Sequence, residues 1–297
     1  MNIIQVYKRF PTQEACLAHI ELVRWHGKPI CPYCKSSKST AVPAERRHHC
    51  NSCNTSFSAT VGTIFHHTHL DLQKWLLAVS LILNAKKGIS SRQLARDLEV
   101  NKNTAWRIAM QIRSAMAQTE DRSLLEGVVE MDETYIGGKP RKGNTGSSRQ
   151  DGGKTSTRGR GTTKTPVVGM LQRGGNVYAK VVRKEQLRIK SLSTLVRENV
   201  DIANTVLFTD EYTGYFGIKQ FMAHKTINHQ QWYVDGDIHT NGIEGFWALL
   251  KRGIVGQYHK VSIQHLPKYL NEFCYRYNHR KTANVFDLTI SKGLGGN

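Results

Sequence analysis

Val128-Val-Glu-Met-Asp132 is a short, largely apolar run that stops on a carboxylate, and it reads as a β-strand with a chemically loaded end. Val167-Val-Gly-Met-Leu171, Val177-Tyr-Ala-Lys-Val-Val182 and Thr205-Val-Leu-Phe-Thr-Asp210 are runs of the same kind. Turns separate them, or a helix expected around Leu192 to Glu198. The pattern specifies an α/β or α+β domain on a mixed sheet. Two of the strands end in aspartate, Asp132 and Asp210, and such ends face one crevice if the strands are neighbours. Each is followed by a second acid, Glu133 and Glu211, which strand alternation sends to the opposite face. Taken singly, either aspartate is equally an ordinary strand-end residue satisfied by backbone amides.

A third carboxylate comes from His239-Thr-Asn-Gly-Ile-Glu-Gly-Phe-Trp-Ala-Leu-Leu-Lys-Arg-Gly253. At 3.6 residues per turn, Asn241, Glu244, Ala248 and Lys251 share one helix face, while Ile243, Phe246, Trp247, Leu250 and Ile254 form an apolar stripe for a core. If that helix brings Glu244 onto the crevice, three carboxylates from three elements meet, a donor set suited to magnesium or manganese. Two such ions about 3.5–4 Å apart support in-line phosphoryl displacement without a covalent enzyme intermediate. The plain alternative is an amphipathic helix with solvated charges.

The composition favours a polyanionic partner. Among 297 residues, 42 Lys and Arg face 23 Asp and Glu, a net charge of +19. The basic residues are spread along the whole length, which favours double-stranded DNA over a membrane surface. The longest apolar run, Trp75 to Leu83, is too short to span a bilayer and the N-terminus lacks a signal-peptide core, so a cytoplasmic protein is expected. Lys139 to Pro166, rich in Gly, Ser and Thr, carries eight Lys or Arg and one Asp. It reads either as a flexible basic loop (139–166) that orders on a phosphate backbone or as an ordinary disordered insertion.

Upstream of the strands two smaller modules are expected. Residues 1–62 combine a short helix near Thr12 to His26 with Cys31-Pro-Tyr-Cys34 and Cys50-Asn-Ser-Cys53. The spacing C-x2-C-x15-C-x2-C is that of a zinc ribbon, whose four thiolates close a tetrahedral shell around one structural zinc. Cys16 and Cys274 are left as small buried residues. Residues 63–122 read as helical, and 88–107 as two helices joined by a sharp turn, with Ser90 and Asn101 as caps. In a helix-turn-helix of this kind Arg92, Lys102, Asn103, Thr104 and Arg107 meet DNA, while Ala105 and Trp106 begin the packed side. Residues 123–297 form the third, mixed-sheet domain. His229 and His239 read as structural histidines, and Trp232 as core. Tyr258 and the cluster Tyr275 to Arg280 are candidates for stacking on unpaired bases, with Arg276 and Arg280 on the DNA backbone.

The ordered set of Met131-Asp-Glu-Thr-Tyr-Ile-Gly-Gly138, Phe208-Thr-Asp-Glu-Tyr212, His239-Thr-Asn-Gly-Ile-Glu-Gly-Phe-Trp247 and Leu250-Lys-Arg-Gly253 behind the two modules resembles bacterial insertion-sequence transposases of the DDE type. The spacings agree: 77 residues lie between Asp132 and Asp210, 33 between Asp210 and Glu244, and Lys251 follows seven beyond. The resemblance implies an RNase H-like catalytic domain that binds terminal inverted repeats, cuts there and joins the freed 3′ ends to target DNA. It further implies two magnesium ions on Asp132, Asp210 and a third ligand described in that group as Asn or Glu. Glu244 is favoured as the stronger ligand, with Asn241 one turn away as the alternative. It places Lys251 and Arg252 on DNA near the cut and makes a homodimer or higher assembly the natural state. The rival readings are a DNA-binding regulator that uses only the first two modules, and an RNase H-like nuclease that cuts without joining.

Overall fold

The computed structural model describes residues 1–117, 123–137, 162–227 and 239–295. The chain divides into two compact units, Met1–Ala117 with His279–Asn297, and Gln118–Asn278. The last nineteen residues, expected to close the mixed-sheet domain, thus belong with the N-terminal modules. Among the described residues no helix is long and apolar enough to cross a membrane.

The first unit opens with α1 (Ile3–Arg9) and α2 (Gln13–Trp25), the latter started by the Thr12 side chain and ended by His26 in the left-handed region. A three-stranded antiparallel sheet follows, β1 (Ser39–Val42), β2 (Arg47–Cys50) and β3 (Thr55–Phe57). So small a sheet has little core of its own, and it leans on α2. Trp25 packs edge-on against His48 and Phe57, and Glu21 meets His48 at 3.0 Å. Next come α3 (Leu72–Asn84), α4 (Ser91–Asp97) and α5 (Lys102–Ala115). Ser90 accepts from the Gln93 N–H and Asn101 from the Asn103 N–H, so both expected caps start their helices. Glu99, in the left-handed region, makes the turn between α4 and α5. The chain's last helix, α9 (Val285–Gly293), lies against α2, α3 and α5.

In the second unit the sheet runs β6-β5-β4-β7-β8. Its members are β4 (Leu125–Ile136), β5 (Thr165–Gln172), β6 (Val177–Val181), β7 (Val200–Thr209) and β8 (Ala223–Thr226). β4, β5 and β6 form an antiparallel meander, whereas β7 pairs parallel to β4, and β8 parallel to β7. In chain order this is 3-2-1-4-5, the order of an RNase H-like sheet. The parallel step needs a crossover, supplied by α6 (Ile189–Asn199). β5 begins at Thr165, so the end of the expected basic loop is strand; its residues 139–161 lie outside the described residues.

Alternation along β4 feeds two cores. Val129 and Met131 meet Val168, Leu207 and the Leu192, Leu195 and Val196 face of α6. On the other face Val167, Leu171 and Ala179 meet α7 (Asn241–Gly253) and α8 (Leu266–Asn278) through Ile243, Trp247, Leu250, Leu270 and Phe273. The apolar stripe read from the sequence of α7 is thus its buried side.

Candidate active site and metal centre

The register of β4 and β7 sets Glu130 beside Phe208, so Asp132 lies level with Asp210, just where β7 has ended at Thr209. Asp132, expected to close its strand, instead sits inside β4, which runs on to Ile136 because β5 pairs with it that far. Carboxylate oxygens of Asp132, Glu133 and Asp210 all lie within 4.8 Å of one another. Alternation does aim Glu133 at the α6 side, as its position in the strand requires. Its carboxylate, held there by Tyr215, still comes within 4.8 Å of the other two at the level where β7 has ended. Each acid is held. The Tyr212 N–H donates to Asp210 Oδ1 at 3.0 Å, the fully buried Tyr215 hydroxyl donates to Glu133 Oε2 at 2.7 Å, and the Trp247 indole N–H donates to Asp132 Oδ2 at 3.0 Å. Burial, then the charges of Glu133 and Asp210, with a smaller part from Glu244, push the Asp132 carboxyl up to about 8. Crowded carboxylates of this kind fit a hard divalent cation, which wants oxygen ligands.

Glu244 is not within that tight group, though its charge is felt at Asp132. It sits in the first turn of α7, where the Thr240 hydroxyl donates to its Oε1 at 3.0 Å. Asn241 is exposed at the first position of the helix, and Lys251 and Arg252 are exposed in its last turn.

Two buried features outside the expected set fix α7. The first is Gly169, opposite Asp132 on β5; a Cβ there would stand 2.5 Å from the Trp247 ring, so the missing side chain is the space the indole fills. The second is Glu130, with no exposed surface. Its Oε2 accepts the Ile243 N–H at 2.9 Å, capping α7 from the sheet, and its Oε1 accepts from Arg173 Nε at 2.8 Å. Arg173 also donates to the His239 carbonyl at 2.9 Å. Gly242 completes the fit, because a Cβ would stand 2.8 Å from Glu130 Oε2. A carboxylate between two apolar residues was the available signal, and strand alternation alone does not reveal that its partner is a helix.

In the first unit the four cysteines gather as their spacing required. Cys31 and Cys53 sulfurs are 3.7 Å apart and those of Cys34 and Cys50 3.5 Å, close to the ~3.8 Å edge of a tetrahedron with 2.3 Å zinc–sulfur bonds. The thiols act on one another: the N–H of Cys53, against burial and helped by that of Ser52, draws the Cys50 thiol down, while against the Ser36 N–H, burial and the neighbouring Cys50, Cys53 and Cys31 push that of Cys34 up. These residues fit one structural zinc.

On α5, Lys102, Asn103 and Arg107 are exposed and Thr104 half-buried, and Arg92 on α4 is exposed. Trp106 departs from expectation: Ala105 and Ile108 are buried, but Trp106 is 40% exposed. At 100° per residue it falls about 60° from the exposed Asn103 and about 160° from the buried Ile108. Arg276 also departs, turned inward onto the fully buried Glu272 at 3.3 Å instead of toward solvent. Tyr258 is likewise engaged, edge-on to Tyr269 with its hydroxyl 3.4 Å from Glu272. His229 and Trp232 lie outside the described residues.

The 3-2-1-4-5 sheet with aspartates converging at its first and fourth strands, joined to a four-cysteine ribbon, defines the class: a transposase with an RNase H-like domain. Residues 124–278 match the ISXO2-like transposase domain and residues 11–56 the transposase zinc-ribbon domain. The chain belongs to the ISXO2-like transposase family. An uncharacterized protein in the transposable element ISH50 of Halobacterium salinarum is 28% identical over 282 residues, covering 90% of this chain and 91% of that one. Among solved structures, a pre-cleavage Mos1 transpososome aligns at TM-score 0.29 and 15% identity, over 72% of this chain and 78% of that one. The Mos1 strand transfer complex aligns at TM-score 0.30 and 13% identity, over 73% and 78%. The fold is defined by the strand order of the sheet itself.

Proposed function

We propose that this transposase binds the terminal inverted repeats of its element, cuts the DNA there and joins the freed 3′ ends to target DNA. The observation that carries the reading is the convergence of Asp132, inside β4, with Asp210, just past the end of the parallel neighbour β7, in an RNase H-ordered sheet. Asp132, Asp210 and Glu244 would hold two divalent ions, with Asn241 as the alternative third ligand. Bound there, magnesium or manganese supplies Lewis acidity to the attacking and leaving oxygens. In cutting, a water oxygen bonds to phosphorus, the P–O3′ bond breaks, and the 3′ oxygen departs as a hydroxyl. In joining, that hydroxyl oxygen bonds to a target phosphorus and gives its proton to solvent, while the target P–O3′ bond breaks and the departing 3′ oxygen takes up a proton to leave as a hydroxyl.

The chain's own residues prepare the site. Trp247, Tyr212 and Tyr215 orient the three crowded acids, and Glu130 with Arg173 seats the helix that carries Glu244. Lys251, two turns beyond Glu244, contacts a phosphate beside the cut, with Arg252 next to it. The zinc ribbon and α4–α5 read the repeat, with Arg92, Lys102, Asn103, Thr104 and Arg107 on the DNA. Two ends must be held together, so a homodimer or larger assembly acts on them.

The test is purified protein with magnesium and an inverted-repeat duplex. Nicking and joined products are expected, both lost in Asp132→Ala and Asp210→Ala while binding persists. Glu244→Ala and Asn241→Ala then separate the two candidates, since only the true ligand abolishes cutting. Wild-type protein that neither nicks nor joins would remove the catalytic reading, and metal analysis with less than about one zinc per chain would remove the ribbon.

A further inference from the structure

Two segments of the second unit meet beside the acidic centre. One is the connection from β6 into α6, the other the stretch that follows Asp210. Tyr212 ties them: its N–H holds Asp210 Oδ1 at 3.0 Å, and its hydroxyl donates to the Leu187 carbonyl at 2.6 Å. Gly217 seals the seam, because a Cβ there would stand 2.2 Å from Ile189 Cγ2.

The surface these segments share is basic and partly apolar. Arg183, Lys184, Arg188, Lys190 and Lys219 are exposed on it, against Glu185 and Glu211. Among the described residues Arg183, Arg188, Lys190 and Lys219 make no ion pair. Arg188 and Lys190 moreover open α6, whose first turn has no acid and whose N-cap makes no side-chain bond. Positive side chains at the positive end of a helix oppose its dipole, so within the protein their placement costs free energy that an outside anion would recover. Between these cations Ile189 is 48% and Phe216 46% exposed, with Lys219 Nζ 5.8 Å from the Phe216 ring. A 310 Å³ depression beside Lys190 has a mixed lining, with Lys180 and Lys190 against Glu198 and an apolar floor of Val182, Leu192 and Leu195.

We propose that this surface binds the acceptor DNA duplex, the one into which the freed ends are joined; the assignment rests on the transposase reading above. Cations on a loop and a helix end neutralise phosphates without reading base edges, which suits a duplex accepted with little sequence preference. The elements assigned to end recognition lie in the other unit, which leaves this surface for a second duplex. Phe216 and Ile189 supply the apolar contact that steadies a deformed base step.

The full-length protein is tested in two arms. In the first, anisotropy follows a random-sequence duplex across potassium chloride concentrations. The second measures nicking of an uncut inverted-repeat substrate and joining of a pre-cut end to an unrelated plasmid. In Arg183→Glu/Arg188→Glu/Lys190→Glu the slope of log affinity on log salt flattens by about 3, joining falls about tenfold or more, and nicking falls less than about twofold. Single Arg183→Gln and Arg188→Gln variants, gentler on folding, each flatten the slope by about 1. Phe216→Ala lowers joining at unchanged slope. For the charge variants, an unchanged slope, or nicking that falls in parallel with joining, would overturn the proposal. Wild-type protein that nicks nothing would end the transposase reading instead, and the anisotropy arm would still decide this one.

Discussion

Burial and the neighbouring charges of Glu133 and Asp210 hold the Asp132 carboxyl near 8, against an ordinary value of 3.8. An acid shifted upward binds its proton more tightly in the folded chain, so between those values the native state carries more protons than the unfolded one. The associated stability is complete below 3.8 and is lost as pH rises toward about 8. In divalent-free buffer, urea unfolding is therefore expected to show wild type losing stability relative to Asp132→Asn between about pH 5 and about pH 8, with magnesium closing the gap. A difference that does not change with pH would contradict the shift. The indole of Trp247 gives a second test at this scale. Trp247→Phe keeps a ring over Gly169 and removes the donor to Asp132, so about a tenfold loss of nicking at limiting magnesium is expected with little change in melting temperature. Asp132 and Asp210 were legible because each closes an apolar run. Glu130 was not: in sequence it is simply the polar alternate of a strand, and its partners lie 43 and 113 residues away.

At the scale of elements, periodicity recovered what local pattern determines. The buried stripe of α7, the Ser90 and Asn101 caps and the strand-like runs all follow from spacing. What spacing does not carry is the side on which a helix docks, and here Glu130 decides it by capping α7 from within the sheet. Removing one member of a buried charge pair typically costs about 3–5 kcal/mol, because the other charge is left unpaired. Glu130→Ala is accordingly expected to destabilise the second unit by about that much in urea unfolding. Replacing both partners, Glu130→Leu with Arg173→Leu, should recover much of the stability, since neither charge is then stranded. Nicking should stay low in the double variant, because the Ile243 N–H and the His239 carbonyl still lack the groups that seat α7. Recovery of nicking together with stability would show that the pair does not position the helix.

For the whole molecule, the chain end belongs with the chain start. The ISXO2-like match stops at residue 278, where the second unit also stops, and α9 returns to complete the first. There Phe286 and Ile290 are buried and Phe286 stacks on Phe10 at 6.2 Å. Asp287 reaches His19 at 3.1 Å and Arg9 at 3.4 Å, and the Gly293 carbonyl accepts the Ile64 N–H at 3.0 Å. No sequence period announces such a return, since α9 looks like any short amphipathic helix and its partners lie on α2, α3 and α5, far upstream in the chain. Burying a Phe or Ile side chain is worth about 1.5–3 kcal/mol each, a large part of the roughly 5–15 kcal/mol that holds an ordinary domain together. A protein ending at Asn278 is therefore expected to keep the second unit folded and to loosen the first. Hydrogen exchange should show protection retained in β4 and β7 and lost in α2, α3 and α5. Adding residues 279–297 as a separate peptide should restore part of it, whereas equal protection in full-length and truncated protein would show that α9 is dispensable to the first unit.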